Sequence, residues 1–127
     1  MLRELVFAAS PYDVRREVDT LFDDQLRPDA IVSAHDGGAI GVLMAASERG
    51  LRVPDDLLVA SCVDSATLQL CSPPITAIDL HPRQIGRRAA EILVALVLGE
   101  TTDETLEAMP ARLVVRDSTR GDFRQGR

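Results

Sequence analysis

Apolar residues in this chain alternate between short unbroken runs and longer stretches with helical spacing. Five runs have strand length: Leu5-Val6-Phe7-Ala8-Ala9, Ala30-Ile31-Val32-Ser33-Ala34, Leu57-Leu58-Val59-Ala60-Ser61-Cys62-Val63, the segment Ile75–Leu80, and Leu113-Val114-Val115. Between the first two, Val14, Val18, Leu21 and Phe22 recur every three or four residues, with Arg15, Arg16, Glu17, Asp19 and Asp23 outward. Ser10 and Pro11 supply an N-cap and a proline at the first helical position, and the helix should stop near Leu26, before Pro28.

A second helix is predicted from His35 or Asp36, with Asp36 as the cap, to Gly50 as the glycine beyond its end. Ile40, Leu43, Met44 and Ser47 form one face and Ala39, Val42 and Ala46 another, so burial is expected on more than one side. Gly37, Gly38 and Gly41 each cost about 1 kcal/mol against alanine in a helix, which implies close packing or a ligand near the helix start. Val53-Pro54-Asp55-Asp56 reads as a turn, and Ser65 to Ser72 as a short helical or irregular connection. Pro73-Pro74 forbids helix, and Pro82 opens a last helix whose stripe is Ile85, Ala89, Ile92, Leu93 and Leu96. Gly99 ends it, an acidic loop follows from Thr101 to Pro110, and residues 121–127 read as a frayed tail.

Short apolar strands separated by helices describe βαβ units and a parallel sheet buried on both faces. Ligands in such sheets bind beyond the carboxyl ends of the strands. Those ends are His35-Asp36 and Val63-Asp64.

Composition narrows the chemistry. A net charge of −6 and 46% hydrophobic residues fit a globular domain and argue against a nucleic-acid-binding surface. All basic residues are arginine, which excludes a Schiff-base lysine, a P-loop lysine and the lysine of a receiver domain. Asp64 could mimic a phospho-acceptor, but Ala8-Ala9-Ser10 stands where an acidic pair would be needed. No G-x-S-x-G occurs, and His35, His81, Cys62 and Cys71 show no metal-ligand spacing, so neither catalysis nor a metal or other cofactor is expected. The cysteines are expected as free thiols. The start Met1-Leu2-Arg3-Glu4-Leu5 is too short and charged for a signal peptide, and no apolar run could span a membrane, so a cytoplasmic location is expected.

The stretch PDAIVSAHDGGAIGVLMAASERGLRVPDDLLVASCVDS resembles the effector-binding domain of lactose-repressor (LacI/GalR) family transcription regulators. Pro73-Pro74-Ile75-Thr76-Ala77-Ile78, Ile85-Gly86-Arg87-Arg88-Ala89-Ala90 and Leu113-Val114-Val115-Arg116-Asp117-Ser118-Thr119 resemble the same family, in the same order. The resemblance implies a three-layer α/β/α parallel sheet of periplasmic-binding-protein-like type I, with residues 1–120 forming its carboxyl-terminal portion. It implies a sugar or nucleoside-like effector held by His35, Asp36, Asp64, Val63, Ala9 and Leu80, and a homodimer built on Ile40, Leu43, Met44 and Cys71. DNA would be bound only through a helix-turn-helix that this sequence does not contain, and the stripe Ile85, Ala89, Ile92 and Leu96 would be exposed. His35 stands where the family usually has Asn or Asp, and Val63 where it usually has an acidic residue. A transporter's solute-binding protein or a ligand-free dimerisation module are the other readings.

Overall fold

A computed structural model describes residues 14–16, 18, 21, 22, 28–100 and 109–121. The elements are β1 (Ala30–Ser33), α1 (Asp36–Glu48), β2 (Leu58–Ser61), α2 (Ala66–Leu70), β3 (Thr76–Asp79), α3 (Pro82–Val97), β4 (Arg112–Val114) and a 3₁₀ turn (Asp117–Thr119). They form one four-stranded sheet in the order β1-β2-β3-β4. The expected strand Leu5–Ala9, the Ser10 cap, most of the acidic loop and residues 122–127 lie outside the described residues.

The first three strands run parallel: Ala30–Ser33 pair with Leu58–Ser61, and Ala60-Ser61 with Thr76-Ala77. The expectation of an all-parallel sheet needs correction at β4, which is antiparallel to β3, with Asp79 opposite Arg112 and Ala77 opposite Val114. The reason is connectivity: the chain leaves β3 at Asp79 and re-enters the sheet beside that same residue, so it must run back the other way.

Alternation decides the core face. Val59 and Ala77 are fully buried and pack with Ala39, Val42, Ala45 and Ala46 of α1, while Ile31 packs at the margin. Leu57, Leu68 and Ile75 extend this core, and the helical residues Val14 and Val18 close it. The opposite alternation places Val32 and Leu113 on a face where they are 67% and 63% exposed. Gly50 ends α1 at φ +67°, in the left-handed region that costs a residue with a Cβ roughly 1–2 kcal/mol. The expected burial of α1 on more than one side needs correction: its six buried residues, Gly38, Ala39, Gly41, Val42, Ala45 and Ala46, share the one side that packs on the sheet, while Ile40, Leu43 and Met44 are half-buried and Ser47 is exposed.

Helix α3 behaves differently. None of its residues is buried, and Ile85, Leu93 and Leu96 are 50%, 62% and 56% exposed. His81, just before it, takes the left-handed conformation at φ 52° and ψ 47°, so the chain turns sharply out of the sheet there.

Candidate functional site at the carboxyl edge of the sheet

The ends of β1 and β2 are built by one device used twice. Ser33 Oγ donates to His35 O at 2.7 Å and accepts from His35 N at 3.4 Å. Ser61 Oγ donates to Val63 O at 2.8 Å and accepts from Val63 N at 3.2 Å. Each serine hydroxyl satisfies backbone groups that the ladder no longer pairs, which is why the strands stop there. The paired positions Ser33 and Ser61 are neighbours in register, so His35 and Val63 leave the sheet side by side. Leu80 and His81 follow at the end of β3.

His35, not Asp36, caps α1: its Nδ1 accepts from Gly38 N at 3.0 Å. The expected cap is off by one residue because the extended backbone of His35 aims its ring at the free N–H groups. Asp36 instead accepts from Gly37 N at 2.8 Å, favourable beside the positive end of the helix. Gly38 is required by packing: a Cβ there would overlap Ser33 Oγ and lie 3.3 Å from Ser33 Cβ. The close-packing reading of this glycine therefore holds.

Asp64 is at the same edge but is engaged. Arg116 grips it with two hydrogen bonds, Nη1 to Oδ1 at 2.8 Å and Nη2 to Oδ2 at 2.7 Å. The Arg116 side chain is 13% exposed and that of Asp64 15%, and Nη1 also reaches Ile75 O at 2.7 Å. These hydrogen bonds hold the Asp64 carboxyl below the usual aspartate range, against the opposing effect of burial. Arg116 and its neighbours also lock the sheet. Ser118 Oγ donates to Val59 O at 2.6 Å and accepts from Thr76 N at 2.8 Å, while Thr76 Oγ1 accepts from Arg116 N at 2.9 Å.

Asp79 is likewise committed: Oδ1 accepts from His81 N at 2.8 Å, and Oδ2 lies 3.4 Å from His81 Nδ1 and 3.5 Å from Arg112 Nη2. Sequence reasoning missed Arg116, Thr76, Ser118 and Asp79 as organisers of this edge. An arginine directly after the apolar Leu113-Val114-Val115 was the available signal, since a guanidinium entering a core needs a carboxylate.

The edge thus brings together His35, Asp36, Val63, Asp64 and Leu80, with Val63 37% and Leu80 43% exposed. Ala9 lies outside the described residues. Ile40 and Leu43 are half-buried on α1 against the core, and Met44 is half-buried beside them. Cys71 is half-buried, its thiol donates to Thr67 O at 3.4 Å, and burial pushes its pKa up. A groove of about 290 Å³, lined by Leu43, Ser47, Leu51, Val53, Ser72 and Pro73, lies at the far end of α1. The strand-end edge is an open half-site by comparison. Among the described residues no group of three His, Cys, Asp or Glu side chains could hold a metal ion, and no helix is long and apolar enough to cross a membrane.

Residues 3–119 match the model of the periplasmic binding protein-like domain. A crystal structure of a LacI family transcriptional regulator from Bifidobacterium animalis superposes on 92% of this chain with a TM-score of 0.83 and 34% identity. The chain belongs to the LacI family. The HTH-type transcriptional regulator GalR of Streptococcus thermophilus is 34% identical over 93 residues, 73% of this chain. A LacI family regulator from Arthrobacter sp. FB24, solved in complex with lactose, is 32% identical with a TM-score of 0.77 over 87% of the chain. This LacI-family chain spans 28% of the GalR relative's length, 43% of the Bifidobacterium chain and 42% of the Arthrobacter chain. These relatives are transcriptional regulators, and the α/β fold expected from the resemblance is the fold they share.

Proposed function

We propose that this chain is the effector-binding and dimerisation portion of a LacI-family transcriptional repressor, acting in the cytoplasm and without catalysis. The observation that carries this reading is the strand-end edge: three adjacent parallel strands end in partly exposed His35, Val63 and Leu80, where ligands of such sheets bind. The Arthrobacter relative's lactose complex supports a sugar or similar small molecule as the effector, and a nucleoside-like molecule is the other class we propose.

His35 and Asp36 would meet the effector at the start of α1, Val63 and Leu80 beside them. Asp64 would contribute by fixing the loop after β2 through Arg116, and Ala9 would be a further effector contact. Closure of this edge against a second lobe would select one conformation, and a homodimer through Ile40, Leu43, Met44 and Cys71 would pass it on. DNA would be reached through a helix-turn-helix outside this chain. The groove beside Leu43 favours that dimer face, because it gives α1 a concavity of mixed character, with Leu43, Leu51 and Val53 beside Ser47, Arg52 and Ser72, into which a second copy can pack.

The test is NMR titration of the folded chain with a panel of sugars, nucleosides and small aromatic compounds. Shifts confined to His35, Val63 and Leu80 are expected for the effector-type ligand. Folded protein whose edge resonances respond to nothing in the panel would overturn the reading.

A further inference from the structure

Resting on that reading, we infer that this edge recognises an aromatic small molecule carrying a hydrogen-bond acceptor, rather than the hydroxyl edge of a sugar. A sugar presents many donors and acceptors, and each one buried without a partner is costly, so a sugar site must supply matching polar groups. Among the described residues this edge has almost none to give. The Ser33 and Ser61 hydroxyls are spent on His35 and Val63 backbone groups. Both oxygens of Asp64 are held by Arg116, and both oxygens of Asp79 face His81 or Arg112. Ser65 Oγ has no partner but is sealed from solvent.

What the edge does offer is apolar. Val63 and Leu80 are the large side chains exposed there, on neighbouring strands spaced about 4.8 Å apart. A flat ring is wide enough to cover two such strand ends. The imidazole of His35 stands alongside, and because its Nδ1 accepts from Gly38 N, the ring's proton sits on Nε2 as a donor with no partner among the described residues. Asp36 accepts from Gly37 N through Oδ1 alone among the described residues, and its negative charge at the same helix start disfavours an anionic ligand. The arginines Arg83, Arg87 and Arg88 line a separate groove along α3 with Gln84 and Glu91. The complementary molecule is therefore neutral, aromatic, and bears a carbonyl or ether oxygen for His35 Nε2.

The experiment is a paired titration of the chain with acetophenone and with galactose, followed by the methyl resonances of Val63 and Leu80 and the ring resonances of His35. Acetophenone should shift all three, with at least tenfold tighter binding than galactose. Val63→Asp should weaken acetophenone at least fivefold, and because Val63 is a surface residue the variant keeps the wild-type spectrum elsewhere. Leu80→Gln serves as the second variant and should act in the same direction. Galactose binding at these resonances as tightly as acetophenone, or tighter, overturns the inference while leaving an effector site in place. If neither compound moves the edge, nor any sugar or nucleoside, the effector reading falls with it. Equal acetophenone affinity in wild type and both variants also overturns the inference.

Discussion

Arg116→Ala is the substitution whose consequences the structure specifies most fully. It deletes two charge-assisted hydrogen bonds to Asp64 and one to Ile75 O, and strands a carboxylate whose side chain is 15% exposed. Removing one partner of a buried ion pair costs about 3–5 kcal/mol, and the residual solvent contact at Asp64 places this case near the lower figure. A loss of about 3 kcal/mol corresponds to a fall in Tm on the order of 10 °C for a domain of this size.

The pH dependence has a definite sign. Asp64 is held below its ordinary range in the folded state, so its contribution is present above the unfolded value near 3.9 and is lost as pH falls through the lower folded one. The gap between wild type and Arg116→Ala should be widest at neutral pH and narrow progressively below about pH 4. Urea unfolding followed by circular dichroism at pH 7 and pH 2.5 measures both. A gap under 1 kcal/mol at pH 7, or one that is unchanged at pH 2.5, would refute the argument.

Other expectations follow from single contacts. Gly38→Ala should cost about 1–3 kcal/mol by overpacking, and Ser33→Ala in the same chain should recover part of it, because only the Ser33 Cβ contact at 3.3 Å and that with His35 Cε1 at 3.4 Å then remain; a double-mutant cycle with no coupling would refute the clash. Ser118→Ala leaves Val59 O and Thr76 N without their buried partner and should lower stability by about 2–4 kcal/mol in denaturant unfolding. Gly50→Ala meets no neighbour within 4 Å, so its cost of about 1 kcal/mol should come from φ alone, and Gly50→Asn should cost less. Leu93→Glu on the exposed stripe should change unfolding by less than about 0.5 kcal/mol, and a larger loss would reveal a buried partner.

The sequence pattern was informative where one physical rule dominates. Val14, Val18, Ala39, Val42 and Val59 are core residues because apolar spacing alone selects their faces. The α3 stripe was legible for the same reason, whereas its exposure was expected only from the family resemblance, since apolar spacing by itself predicts a buried face. Strand direction was not: hydrophobic runs carry no sign, so Arg112–Val114 reads the same whether parallel or antiparallel. Nor was the bond between Asp64 and Arg116, which are 52 residues apart, or the cap, where two adjacent polar side chains compete and backbone angle decides. The edge itself was legible as a location. Its chemistry was not, because Ser33, Ser61 and Asp64 look available in sequence and are consumed in the fold.

The exposed helix α3 has a mechanical consequence. The chain departs at Asp79 and rejoins at Arg112, two residues that face each other in the β3–β4 register and share an ion pair. Between them, among the described residues, α3 buries none of its side chains against the sheet. Fraying of α3 therefore costs the sheet little, and its amides should exchange with solvent far sooner than those of β2. A load applied to the first turn of α3 reaches the sheet through His81, one residue from Leu80 on the rim.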